Sequence, residues 1–326
     1  MVYLYDICIE LKMKDMKGQN RIVLPDIINH SYQRTLNGNL LFYNIYDCLL
    51  FFTIFCVTQQ KYSGIRVYKL CLMPDHLHNS SSASSKSELS AFTQNYTSVF
   101  AKEHNEVCHE KGNVFHSPFG SVPKKGDKKA RSNLIYVDNN PVERRLSEKA
   151  ESYRWNFLAY AISDHPFSEK LIIREASADM KNAIKKVKSM HRNGRYLSYA
   201  LLKKIFAPLA LKEKNQLVDY IITTYNVIDY EGAIRFFGSY EKMLEATHSV
   251  TGNEYDINEV FVGKNDSVYS KMTYLLMNTG RFKDIHDIFF LSKEERFGLL
   301  EYLNGKTDAT LEQIAKYLHL PWKYSK

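Results

Sequence analysis

Residues 65–82 read IRVYKLCLMPDHLHNSSS. Ile65–Met73 is dense in apolar and β-branched residues and predicts a strand. Behind Met73-Pro74-Asp75 stand His76 and His78, with one leucine between them. In a strand, residues i and i+2 leave on the same face. Leu77 then enters a core while both imidazoles point to the other side. A chain with this segment is constrained to build a sheet that packs one face and converges two imidazoles on the other, an arrangement that can hold a metal.

The rest of the chain supplies the remaining elements. Ile27–Thr35 alternates as a strand, and LNGN (Leu36–Asn39) follows as a turn. Tyr46 to about Tyr62 predicts a helix. Its apolar run, Cys48–Val57, is far shorter than the ~20 residues of a membrane span and reads as buried. The serine-rich tract after His78 reads as a loop that ends in Ser85, with Glu88 at capping-box spacing. Leu89, Phe92, Tyr96, Val99 and Phe100 then fall at helical spacing, to about His104. Gly112–Val122 predicts a third strand. KKGDKKAR (Lys124–Arg131) reads as a loop with five basic residues, and Leu134–Asn140 as the end of a helix stopped by Pro141. From about Pro166 the strand–helix alternation fades into long helical patterns. Among them are a basic helix at 181–195 and, near 307–322, the shape of one helix of a helix-turn-helix. The class is α+β: a segment 1–24 without an assigned element, a mixed domain at 25–165, and a helical accessory region at 166–326.

The formal charge of +8 favours a polyanionic partner, and 13% aromatic residues suit stacking on unpaired bases. The five cysteines are odd in number and form no CxxC, as in a reduced, cytoplasmic chain. Met1–Glu10 lacks the pattern of a signal peptide.

Tyr136 and Asn140 are four apart, so a helix would present a phenol and an amide oxygen on one face. Brought to the strand of His76 and His78, that face completes a set of two imidazoles and one amide oxygen. Neutral ligands of this mixed kind suit Mn²⁺ or Mg²⁺, with Zn²⁺ or Co²⁺ as alternatives. Such an ion can polarise a phosphate. Tyr136 is then the nucleophile, ionised with help from the metal or from a lysine of Lys124–Lys129.

LMPDHLH resembles the His-hydrophobic-His motif of single-tyrosine HUH transposases, and more narrowly of the REP-associated tyrosine transposases. NHSYQR (Asn29–Arg34) resembles that family's first strand, and GNVFHSPF (Gly112–Phe119) a later one. IYVDNNPVERR (Ile135–Arg145) resembles its catalytic helix, and SYRWNFLAY (Ser152–Tyr160) its Trp-centred closing segment. The resemblance spans roughly Ile27 to Asp164. It implies a ferredoxin-like or RRM-like antiparallel sheet with helices on one face, with His76, His78 and Asn140 as metal ligands and Tyr136 as nucleophile. Asp75 stands where many members have Asn, placed to tune a histidine or the ion.

The activity this implies is a metal-dependent single-stranded DNA transposase or nickase-ligase. It would act on hairpin-bearing DNA, with Mg²⁺ or Mn²⁺ and through a 5′-phosphotyrosine link, as a monomer or a homodimer near the nucleoid. Lys124, Lys125, Lys128, Lys129 and Arg131 are the candidate phosphate contacts. Two other readings stand beside it: a nucleic-acid-binding protein or repressor that kept the fold and lost cleavage, and a metallohydrolase in which water attacks and no adduct forms.

Overall fold

The computed structural model describes residues 22–36, 38–249 and 265–321, so the segment 1–24 lies outside it except for residues 22–24. Four strands, β1 (Asn29–Arg34), β2 (Arg66–Met73), β3 (His76–Ser82) and β4 (Gly120–Pro123), form one sheet in the order β2-β3-β1-β4. Every neighbouring pair is antiparallel. Helix α1 (Ile45–Gln59) crosses from β1 to β2, a tight connection joins β2 to β3, and α2 (Lys86–Val107) crosses from β3 to β4.

Helix α1 starts at a capping box in which Asn44 accepts from Asp47 N and the Asp47 carboxylate accepts from Asn44 N. It is apolar all round and buried from Asp47 to Thr58, as a helix enclosed on every side must be. With α2 it covers one face of the sheet, where Phe51, Phe52, Phe55, Phe92 and Tyr96 meet Leu70, Leu72 and Leu77. This core continues across residues 165 and 166 into the helical region. Met180 and Val187 of α4 (Ala178–Arg192), Leu202 and Phe206 of α5 (Tyr199–Phe206), and Leu217 and Ile221 of α6 (Leu211–Tyr225) all join it. A second core gathers α9 (Ser267–Asn278), α10 (Lys293–Asn304) and α11 (Leu311–Tyr317) around Leu40, Tyr43 and Cys108. Between the two runs of chain lie the short helices α7 (Tyr230–Arg235) and α8 (Tyr240–Ser249). Among the described residues no helix is long and apolar enough to cross a membrane.

Helix α3 (Gly126–Glu143) lies on the opposite face of the sheet, against β2 and β3. Helices therefore cover both faces, not one as expected. Two further expectations about this helix are corrected. Lys128, Lys129 and Arg131 sit on its first turns instead of in a loop, because the helix already begins at Gly126, whose φ of +77° suits glycine. Cations at a helix N-terminus oppose the dipole. Burial of Ala130, Leu134 and Val137 against the sheet outweighs that. Nor does Pro141 stop the helix; it lies inside it, and the chain leaves after Glu143 with Arg144 N bonded to Asn140 O at 3.1 Å. Proline removes the donor that would bond Val137 O, and the last turn is held by Arg144 N bonding both Asn140 O and Val142 O.

The serine tract is also not a loop. β3 runs through Ser82, because β1 and β2 flank it on both sides and complete its ladder as far as Ser81. Pairing in a central strand overrides a poor strand composition. Ser85 does cap α2, accepting from Glu88 N, while the Glu88 carboxylate bonds Gly64 N and Ser84. Of Gly112–Val122 only the end is ladder: β4 begins at Gly120, where the Tyr32 ring lies so close that a side chain would overlap it. Phe115 forms an isolated bridge with Thr35.

Candidate active site

β3 holds His76 opposite Met73 and Arg34, and His78 opposite Cys71 and Tyr32. Both imidazoles leave on the α3 side, their ring centroids 4.9 Å apart and nearly perpendicular. Three contacts fix α3 over them. The Ser80 hydroxyl donates to Asn133 Oδ1 at 2.7 Å. Lys69 Nζ meets Asp138 Oδ2 at 2.6 Å in a fully buried pair. Tyr136 and Val137 pack against Cys71 and Met73. Burial raises the Asp138 carboxyl, and the Lys69 ammonium partly offsets this.

Held this way, the Tyr136 ring stands edge-on to His78, with centroids 5.6 Å apart. Asn140 follows one turn later. Its amide donates to Tyr136 O at 3.0 Å, and its Oδ1 is buried without a hydrogen-bond partner among the described residues. His76 is anchored through Nδ1 to Asp75 Oδ1 at 2.6 Å, while its Nε2 is buried and likewise unbonded among those residues. Burial alone would raise the Asp75 carboxyl; the facing His76, with Arg144 and Lys316 behind, holds it well below the usual carboxylate range.

A buried acceptor left unbonded costs about 1–3 kcal/mol. Two such atoms, an imidazole nitrogen and an amide oxygen, are the donor types a hard or borderline divalent ion takes. The residues therefore fit the implied group, as a mixed set. Among the described residues no cluster of three or more His, Cys, Asp or Glu is arranged to hold a metal.

His30 went unnoticed in the sequence. β1 places it on the same face, with Nε2 at 3.0 Å from His78 Nδ1 and its ring edge-on to Tyr136 at 5.6 Å. Burial, then the neighbouring His78 and Lys124, press its pKa well below the ordinary value, so it is neutral. The alternation of NHSYQR puts His30 and Tyr32 on one face, but nothing local in the sequence joins that face to His78.

The basic residues divide. Lys124 follows β4 and acts on His30 electrostatically. Lys125, Lys128 and Lys129 are exposed at the start of α3. Arg131 is half-buried, and its guanidinium donates to Phe236 O at 3.4 Å. The C-terminal helices also reach the site's border. Arg144 pairs with Asp266 at 3.1 Å and its carbonyl accepts from Asp266 N. Burial lifts the Asp266 carboxyl to about 6, against the pull of Arg144.

No protein-family model matches the chain, and no curated protein matches it. Among solved structures it is similar to a REP-associated tyrosine transposase bound to a REP hairpin, with a TM-score of 0.38 and 13% identity over 49% of this chain and 95% of that one. So slight a likeness carries no function across.

Proposed function

We propose that the chain is a metal-dependent single-stranded DNA nickase-ligase of the single-tyrosine HUH type, working in DNA transposition. The βαββαβ order with strands 2-3-1-4 supports reading the sheet as ferredoxin-like. On this reading residues 25–165 carry the chemistry and the helices after 166 are accessory. The observation that carries the proposal is the Tyr136 ring edge-on to His78 at 5.6 Å, from a helix about sixty residues away in sequence, with His76 beside His78 on the strand and Asn140 one turn on along the helix.

His76 and His78, through imidazole nitrogen, and Asn140, through Oδ1, would hold Mg²⁺ or Mn²⁺. A bound ion supplies charge to polarise the scissile phosphate and to stabilise the departing oxygen. Tyr136 Oη attacks phosphorus as its proton leaves. The P–O3′ bond breaks, O3′ takes up a proton, and the 5′-phosphate stays on Tyr136. Reversal by another 3′-hydroxyl rejoins the strand, so neither ATP nor water is consumed. Lys124, Lys125, Lys128 and Lys129 would hold neighbouring phosphates; Arg131 is partly committed to Phe236.

One observation favours the second reading, a binder that has lost cleavage: Tyr136 is only 2% exposed, so a phosphate reaches it only after its cover shifts. Incubation of the chain with labelled single-stranded foldback DNA and Mn²⁺, followed by a denaturing gel, decides between them. A covalent adduct that disappears with EDTA and in Y136F supports the enzyme. Tight binding without adduct supports the binder, and cleaved DNA without adduct supports hydrolysis by water.

A further inference from the structure

We propose that His30 is a positioning residue for His78: its Nε2 accepts the Nδ1–H of His78, which leaves the His78 Nε2 lone pair for the ion. The inference rests on the metal reading above and assigns a role to a side chain outside the ligand set.

The two ligand rings are held alike. Asp75 meets His76 at Nδ1, 2.6 Å away, and His30 meets His78 at Nδ1, 3.0 Å away. Each ring is thus anchored by the nitrogen nearer the backbone and would ligate through the one farther out. The direction of the second bond matters. If His30 Nε2–H donated instead, a neutral His78 would carry its proton on Nε2 and could not ligate there.

His30 itself is wholly buried, and its Nδ1 has no hydrogen-bond partner among the described residues. An imidazole kept in such a place leaves a polar atom unsatisfied, which an apolar residue of similar size would avoid. Among the described residues its side chain makes one hydrogen bond, to His78. The ring also stacks on His78, with centroids 5.2 Å apart and an interplanar angle of 21°. It therefore fixes both the tilt and the tautomer of that ligand. Partners of this kind are worth about 10–100-fold in metal affinity.

The test is a Mn²⁺ titration of the full chain, followed by the EPR signal of the free aqueous ion, on wild type, H76A, H30Q and H30M. Gln and Met are similar in length, but only Gln can accept the His78 proton. H76A should lose binding, H30M should bind about 10–100-fold more weakly than wild type, and H30Q should recover most of the loss. Melting by circular dichroism checks that each variant folds. Equal dissociation constants for H30M and wild type overturn the role of His30 and leave the metal reading intact, whereas wild type and H76A binding alike overturn the metal reading itself. A long-range ¹H–¹⁵N spectrum of the unmutated, metal-free chain needs no variant. Protonation of His78 at Nδ1 supports the proposal, and protonation at Nε2 overturns it.

Discussion

The two faces of the sheet are built on different terms. Towards α1 and α2 the strands meet a dense aromatic layer, with Phe52 stacked on Phe157 at 4.6 Å and Phe51, Phe55, Phe92, Tyr96 and Phe100 in edge contacts at 5–6 Å. Towards α3 the same strands present His30, His76, His78, Lys69 and Ser80. Apolar burial stabilises in proportion to area, whereas polar burial only recovers what desolvation costs, and only when each group is bonded. The first face holds the domain together. The second is tolerated because Lys69, Ser80 and Asp75 have partners, and its buried unbonded atoms among the described residues include His76 Nε2 and Asn140 Oδ1 of the proposed ligands as well as His30 Nδ1. The contrast is not complete. Ser31, Asn79 and Ser81 form a buried polar strip on the α1–α2 side with no side-chain hydrogen-bond partners among the described residues.

The sharpest way to break the comparison is Tyr136→Phe, which should remove adduct formation entirely while leaving DNA binding and melting temperature close to wild type. A loss of stability comparable to a core deletion would return Tyr136 to the structural side. Next come two deletions of similar size and opposite cause. Phe52→Ala should cost about 3–5 kcal/mol as a cavity, and Lys69→Ala about 3–5 kcal/mol as an unpaired buried carboxylate. Denaturant titrations separate them, because only the second should recover at a pH low enough to protonate Asp138.

A smaller effect belongs to the N-terminal end of α1. There His286 meets Asp284 at 2.8 Å and Asp47 at 3.3 Å, with Tyr199 and Lys203 alongside. Burial alone would lower the imidazole, but the two carboxylates lift it to about 9. A group raised in the folded state contributes its stability fully below its unfolded value, near 6.5, and loses it as pH rises through the folded one. Unfolding free energy should therefore fall between pH 6.5 and 9 by no more than about 3 kcal/mol, and His286→Gln should flatten that slope. The finest test uses neighbouring serines on opposite faces. Ser80→Ala removes the bond to Asn133 and should cost about 1 kcal/mol. Ser81→Ala removes a hydroxyl with no hydrogen-bond partner among the described residues and should be neutral or slightly stabilising. Equal costs would mean the two faces do not differ as described.

Much of this was readable beforehand, because the informative features were periodic. The i, i+2 spacing of His76 and His78 and the i, i+4 spacing of Tyr136 and Asn140 state which side chains share a face before any fold is known. The serine strand was not readable, because Ser80–Ser82 has no strand pattern of its own and is extended by its two neighbours. The start of α3 was hidden by charge: Lys128 and Lys129 look like loop residues until the apolar side of the same turns is placed on the sheet. His30 was hidden for a third reason. Its partner lies forty-eight residues away, and nothing local marks one histidine in a strand as belonging to a site. The approach of Asp266 and Lys316 to Asp75 likewise depends on how the C-terminal helices dock.

The Lys69–Asp138 pair has a consequence beyond its energy. Asp138 is two residues from Tyr136, and a helix that slipped by one residue would turn its side chains by about 100°. The pair is then a locating pin. It lies outside the proposed ligand set, yet it sets the angle at which the phenol faces the sheet. Its tolerance is that of a single 2.6 Å contact in a site closed to water. Selection acting on Tyr136 must therefore also act on a lysine in a different strand, and a chain that lost the chemistry would be at liberty to replace both halves of the pair with hydrocarbon.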